Sequence, residues 1–162
     1  MSLLNSILEQ LINGLRTGSI YALIAIGYTM VYGIAKMINF AHGDIIMVGA
    51  YSLYVYSSIL KLPVFVAILL TVLTCSVLGI VTEKIAYKPL RNAPSLAVLI
   101  TAIGMSFLLQ NIALLVFKAT PIPFASIVNV PGIHLGDLYI SGTTLVTLGV
   151  TTVSMIALTL FV

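Results

Sequence analysis

Charge is scarce in this sequence. Asp, Glu, Lys and Arg make up 7% of its 162 residues, against 60% hydrophobic. A soluble domain is about one quarter charged, so this composition excludes an ordinary soluble domain and a disordered chain. Seven Lys/Arg against four Asp/Glu leave a net charge of +3. Basic groups so few and so scattered do not make a phosphate-tracking surface, and no nucleic acid is expected as a partner. They read instead as markers of topology around membrane spans. Cys75 is the single cysteine, which excludes an internal disulfide and a cysteine-based metal site. The first fifteen residues hold no Lys or Arg, so no cleavable signal peptide is read there. Gly-x-x-x-x-Gly-Lys-Ser/Thr, Gly-x-Ser-x-Gly and His-Glu-x-x-His are all missing, as are paired carboxylates. Nothing therefore points to ATP binding by a P-loop or to an intramembrane hydrolase. No enzyme activity and no cofactor are expected.

What the chain does contain is long runs without charge, at 17–35, 45–60, 62–82, 92–117 and 138–162. A spanning helix needs about 20 mostly apolar residues. The short 45–60 run borrows Ile38 to Gly43. The pattern predicts an all-α membrane protein, one domain over 1–162, with five spans near 11–34, 40–60, 63–86, 95–117 and 142–162. The lipid bilayer is its surrounding medium. In the 118–141 loop Pro121, Pro123 and Pro131 exclude a continuous helix. There Ile133-His134-Leu135 and Leu138-Tyr139-Ile140 flank Gly136-Asp137, which predicts a small two-stranded flap. There is no internal repeat and no low-complexity segment. With the N-terminus outside, the inner face receives Lys36, Lys84, Lys88 and Arg91, and the outer face Arg16, Lys61 and Lys118. The dense cluster Lys84, Lys88, Arg91 decides this orientation, which makes the 118–141 loop external.

Asn39-Phe40-Ala41-His42-Gly43-Asp44 puts an amide, an imidazole and a carboxylate at the mouth of an apolar span. A bland reading has Asn39 capping the second helix and Asp44 complementing its positive end. A sharper one makes Asn39, His42 and Asp44 part of a substrate path or gate near the inner face, since ionisable groups in membranes default to function. No metal site is expected. His42 and Asp44, two residues apart, face different ways on a helix, and no third ligand is near. Gln110 and Asn111 lie inside the fourth span, where amides must find partners. They read as interhelical glue or as substrate contacts. Gly14, Gly18 and Ala22 form a small-residue stripe that suits close helix packing. Tyr21, Tyr28 and Tyr32 read as interface or core. The threonines of the fifth span, Thr143, Thr144, Thr147, Thr151, Thr152 and Thr159, can bond their own helix and do not by themselves make a pore.

Three stretches carry a family resemblance. Asn13-Gly14-Leu15-Arg16-Thr17-Gly18-Ser19-Ile20-Tyr21-Ala22-Leu23, continuing through Gly27-Tyr28-Thr29-Met30-Val31-Tyr32-Gly33 to Ile38-Asn39-Phe40-Ala41-His42-Gly43-Asp44, resembles the opening of a branched-chain amino acid ABC transporter permease. Glu83-Lys84-Ile85-Ala86-Tyr87-Lys88-Pro89-Leu90-Arg91 resembles that family's basic inner loop. Thr101-Ala102-Ile103-Gly104-Met105-Ser106 with Leu109-Gln110-Asn111 resembles its fourth span. The resemblance implies a subunit of a binding-protein-dependent importer in a bacterial or archaeal plasma membrane. Its partners would be a second, homologous permease subunit, two cytoplasmic ATPase subunits and an extracytoplasmic substrate-binding protein. Substrates in such a family include leucine, isoleucine and valine, other amino acids, urea and short amides. Family members continue into a basic loop and further spans, whereas this sequence ends at Leu160-Phe161-Val162, so a truncated permease is expected. The rival reading is a complete small five-span channel or scaffold. A secondary transporter would need inverted repeats, and none is found.

Overall fold

The computed structural model describes residues 3–36, 39–124, 130–135 and 138–161. Helix α1 runs Leu3–Ala35. Helix α2 runs His42–Tyr54 and continues as a π turn, Val55–Ile59. Helix α3 runs Val64–Thr82, then a π turn Glu83–Tyr87 and a 3-10 turn Lys88–Leu90. Helix α4 is Ser95–Phe117, strands β1 and β2 are Ile133–Leu135 and Leu138–Ile140, and α5 is Gly142–Phe161. The chain divides into two compact units, one of Met1–Ile34 with Ser126–Val162, the other Ala35–Ala125.

Four helical stretches are long and apolar enough to cross a membrane: Asn5–Ile34, Val64–Leu90, Ser95–Phe117 and Gly142–Phe161. The span expected at 40–60 is helical from residue 42 to residue 59. It falls outside that group because His42 and Asp44 in its first turn, with its tyrosines and serines, lower its mean hydropathy. The start of α1 at Leu3 precedes the expected 11, because one charged Glu9 interrupts a hydropathy run without breaking a helix.

Proline and lysine set the ends of the helices. Pro63 and Pro94, at ψ 140 and 144, hold the chain extended just before α3 and α4. Their carbonyls accept the first helical N–H groups, Ala67 at 3.0 Å and Ala97 at 2.9 Å. Lys36, Lys61 and Lys118 follow helical segments at φ 54, 51 and 64, a left-handed conformation that glycine usually supplies. A cation at the carbonyl end of a helix is favourable, and lysine suits the ends of membrane spans.

In the 35–125 unit, α3 runs against α2, and α4 runs parallel to α2. The Cys75 thiol donates to the Ile45 carbonyl at 3.8 Å, and Gly49 lets Cys75 approach, since a Cβ there would sit 3.1 Å from its Sγ. Tyr56 and Thr74 share a hydroxyl hydrogen bond of 2.9 Å. Between α2 and α4, Gln110 bonds Asp44, and Tyr51 stacks on Phe117 at 4.1 Å and 10°. Each member of the second pair lies seven residues beyond its counterpart in the first, or about two turns, which fixes a parallel register. Tyr87, Val98 and Ala102 form a small buried cluster, with Leu90 against it.

In the other unit the expected flap is present as an antiparallel pair in the register Ile133↔Ile140, His134↔Tyr139, Leu135↔Leu138. Gly136 and Asp137, the expected turn, lie outside the described residues. The His134 and Tyr139 rings meet at 4.8 Å, and Gly132 makes room for Tyr139, whose ring would be 2.5 Å from any Cβ placed there. Ser141 caps α5, its Oγ accepting the Thr144 N–H at 3.3 Å. Thr147, Thr152 and Thr159 donate to carbonyls of α5 itself, which accounts for their hydroxyls without a pore. A Cβ at Gly142 would collide with the Val130 carbonyl oxygen. Because a backbone atom has little room to move, Gly142→Ala is expected to destabilise the chain by about 3 kcal/mol, as overpacking does at its upper range. Thermal unfolding in detergent measures this, and an unchanged midpoint would contradict it.

Candidate functional site

The Asn39–Asp44 segment is built from a turn and a helix start. Asn39 Oδ1 accepts the Ala41 N–H at 3.0 Å, and the Asn39 carbonyl accepts the His42 N–H at 3.2 Å. This is an Asx turn. Asn39 therefore closes the turn leading into α2, while Ala41, the N-cap residue itself, supplies no side-chain cap. Asn39 Oδ1 also accepts the Tyr87 hydroxyl at 2.7 Å, which ties the turn to the end of α3. Ala41 is fully buried, and His42 is half-buried on the first turn of α2.

Asp44, on the same first turn, is 6% exposed. Gln110 Nε2 donates to Asp44 Oδ1 at 2.9 Å and to Ser106 Oγ at 3.1 Å. Among the described residues Gln110 is the only hydrogen-bond partner of this carboxylate, and no Lys or Arg pairs with it. The carboxylate is thus balanced by an amide and by the positive end of α2.

Two independent pairings give the depth of this helix start. Gln110 lies about 22 Å along α4 from Ser95 and about 10 Å short of Phe117, at 1.5 Å per residue. Cys75, bonded to Ile45, lies near the middle of the helical stretch Val64–Leu90. Helix α2 therefore begins partway along its neighbours. Asp44 thus sits level with the interior of α4, opposite Gln110, a placement set by contacts with α3 and α4 that hydropathy does not record.

The sequence candidates are brought together selectively. Asp44 and Gln110 meet directly. Asn39 meets Tyr87, which sequence reasoning passed over because it sits in the basic loop. Asn111 turns away: its Nδ2 donates to the Phe107 carbonyl of its own helix at 2.7 Å. Ser106 was also missed, although its position four residues before Gln110 could have shown it. Thr82 is a third omission. It is 1% exposed, and its Oγ1 has no partner among the described residues, whereas Thr71 and Thr74 on the same helix both donate to carbonyls one turn back. Seven residues beyond Cys75, Thr82 shares the face of α3 that meets α2.

Tyr87→Phe removes the donor to Asn39, and a loss of about 1 kcal/mol of stability is expected. Equal unfolding midpoints for Tyr87→Phe and wild type would show that the bond contributes nothing.

Elsewhere, a Cβ at Gly14 or Gly18 would meet nothing within 4 Å, so this face of α1 is open in the chain alone. Arg91 and Glu83 form an exposed ion pair at 2.8 Å beside Lys84 and Lys88. Such pairs contribute about 0–1 kcal/mol. Among the described residues no group of three or more His, Cys, Asp or Glu could hold a metal ion.

Comparison with known proteins gives these groups a context. The family model described as branched-chain amino acid transport system / permease component matches residues 10–162. The high-affinity branched-chain amino acid transport system permease protein BraD of Pseudomonas aeruginosa is 47% identical over 116 residues, covering 67% of this chain and 38% of its own length. The corresponding LivH of Escherichia coli K12 is 40% identical over 167 residues, covering 96% of this chain and 54% of its own. LivH of Salmonella typhimurium is 42% identical over 130 residues, covering 75% of this chain and 42% of its own. The chain thus spans about half the length of these relatives, or less. No solved structure matches it. These relatives are named as transport permeases and not as enzymes, and four apolar helices agree with a multi-pass membrane protein. The chain belongs to the family of branched-chain amino acid transport permease components.

Proposed function

We propose that this chain is the transmembrane subunit of a binding-protein-dependent ABC importer, and that the start of α2 lines its substrate path. Asn39, His42, Asp44 and Gln110 form the polar lining, and Asn111 lies beside them on α4. The observation that carries this reading is Asp44: a carboxylate with no cationic partner among the described residues, buried at a helix start that lies within the depth of apolar α3 and α4. In hydrocarbon such a group is expensive unless it serves a path. Helices that begin inside a membrane are a recurring way to present backbone N–H groups to a solute.

The substrates are branched-chain amino acids (leucine, isoleucine and valine), with small amides and urea as related cargo. ATP hydrolysis belongs to two cytoplasmic ATPase subunits. A second homologous permease packs on the open Gly14, Gly18, Ala22 face, and an extracytoplasmic binding protein delivers the solute. Residues 1–162 act as one permease domain of a bacterial or archaeal plasma membrane. Helix α2 with its π turn provides a fifth crossing.

Uptake by the full-length permease assembled with its ATPases tests the path. At unchanged expression, Asp44→Asn and His42→Ala are each expected to lower uptake at least tenfold. Normal uptake in both variants would leave the segment a structural role only.

A further inference from the structure

The outward face of α3 changes character once along its length. Leu73, Val77, Val81, Lys84 and Lys88 recur every three or four residues, which places them in one row on the helix. All of them are exposed. Lys84 and Lys88 straddle the π turn, which the Lys88 N–H closes on the Glu83 carbonyl. A turn of that width keeps residues four apart on the same side. The other side of the turn is held inward, because Tyr87 lies in the buried cluster with Val98 and Ala102 and its hydroxyl is bonded to Asn39. The two lysines therefore point away from the chain.

Their charge is also left available. Neither lysine makes an ion pair with any described residue. The one carboxylate beside them, Glu83, is taken by Arg91 at 2.8 Å. Leu73 to Lys84 measures about 16 Å at 1.5 Å per residue, close to half of a hydrocarbon core about 30 Å thick. An aliphatic row one leaflet deep thus ends in two unpaired cations. Topology alone asks only for cations near the end of a span. It does not require them to lie in line with an exposed aliphatic row, or Glu83 to be drawn off by a third cation.

We propose that this row on α3 binds an anionic phospholipid. The lipid phosphate lies between Lys84 and Lys88, and an acyl chain runs along Val81, Val77 and Leu73. The lysines select the charge of the headgroup, and the aliphatic row keeps the lipid upright beside the helix. The inference rests on the outer face of α3 and stands or falls apart from the role of Asp44.

Native mass spectrometry of the chain tests it, with phosphatidylglycerol and phosphatidylcholine of identical acyl chains as the probes. A cation near an anionic lipid is worth about fivefold in binding, so phosphatidylglycerol is expected to half-saturate at a concentration about tenfold or more below phosphatidylcholine. In Lys84→Gln/Lys88→Gln, checked for unchanged helical content by circular dichroism, that preference is expected to shrink to about twofold or less. Lys61→Gln/Lys118→Gln removes the same charge from the other end of the unit and is expected to leave the preference intact. Glu83→Gln releases Arg91 and is expected to tighten phosphatidylglycerol binding about threefold, a gain that misfolding cannot produce. Equal binding of the two lipids by the wild-type chain would overturn the proposal and leave the lysines to an acidic protein surface. Equal losses in the two lysine pairs would also overturn it, because net charge and not this row would then attract the lipid. Displacement of phosphatidylglycerol by an equal concentration of inorganic phosphate would overturn the lipid assignment, since the aliphatic row would then contribute nothing.

Discussion

Gln110→Leu is expected to destabilise this chain by more than the loss of one interhelical hydrogen bond would suggest. Such bonds in membranes contribute roughly 1–2 kcal/mol at most. The larger effect comes from what the substitution leaves behind. Gln110 is the only described hydrogen-bond partner of the Asp44 carboxylate, at 2.9 Å, and Asp44 is 6% exposed. Leaving a buried acceptor without its partner costs about 1–3 kcal/mol, and more where the acceptor is charged, because Asp44 then has nothing in place of its former hydration. Removing both partners is different. In Asp44→Leu/Gln110→Leu the two polar groups disappear together, and stability is expected to return to within about 1 kcal/mol of wild type. Unfolding in detergent of the two single variants and the double variant supplies this cycle.

Uptake then separates glue from path. If the pair only joins α2 to α4, the stable double variant transports normally. If the pair lines the path, uptake remains lost although stability has returned, and this is the expected outcome. A third result is informative as well. A Gln110→Leu loss below about 1 kcal/mol would mean that water reaches Asp44 and replaces the amide. Asp44 would then lie in a wet cavity, and the added destabilisation argued above would be refuted.

How much of this arrangement was legible in the sequence depends on the range of the forces involved. Helix α4 was legible to the residue, since Pro94 and Lys118 bracket an apolar run and both ends are decided locally. The β1–β2 flap was legible from Gly136-Asp137 between two apolar triplets. The π turns were not, because a charge-free run records apolarity and is silent about rotation. At the end of α3 that rotation matters: the π turn at Glu83–Tyr87 carries Tyr87, whose hydroxyl reaches Asn39. The residues of the site were visible one at a time, as polar side chains in apolar surroundings. Their pairing was not, because Asp44 and Gln110 are 66 positions apart and Asn39 and Tyr87 are 48 apart. The depth of the α2 start follows from those long-range contacts and from the meeting of Ile45 with Cys75.

The orientation of the 35–125 unit gives an expected result that is nearly all-or-none. Helices α2 and α4 are parallel and α3 runs against them, so the connections between these helices alternate between two ends of the unit. Lys84, Lys88 and Arg91 gather at the end where α3 finishes and α4 begins, whereas Lys61 and Lys118 lie at the other. Basic residues near span ends favour the cytoplasmic side. The three-residue cluster is also the denser, so that end is expected to be cytoplasmic and the 118–141 segment external. Glu83 at the same end does not weaken the assignment, because acidic residues contribute little to this bias. Single cysteines test it in a Cys75→Ser background, which removes the native thiol while leaving a small polar atom beside Gly49. In intact cells, a membrane-impermeant maleimide is expected to label Thr120→Cys almost fully and Lys88→Cys almost not at all. After permeabilisation Lys88→Cys is expected to react as well, since Lys88 is exposed. Labelling of Lys88→Cys in intact cells would invert the unit. The start of α2 would then be approached from the opposite side of the membrane, and a solute delivered from outside would have to reach Asp44 from the Lys84–Arg91 end.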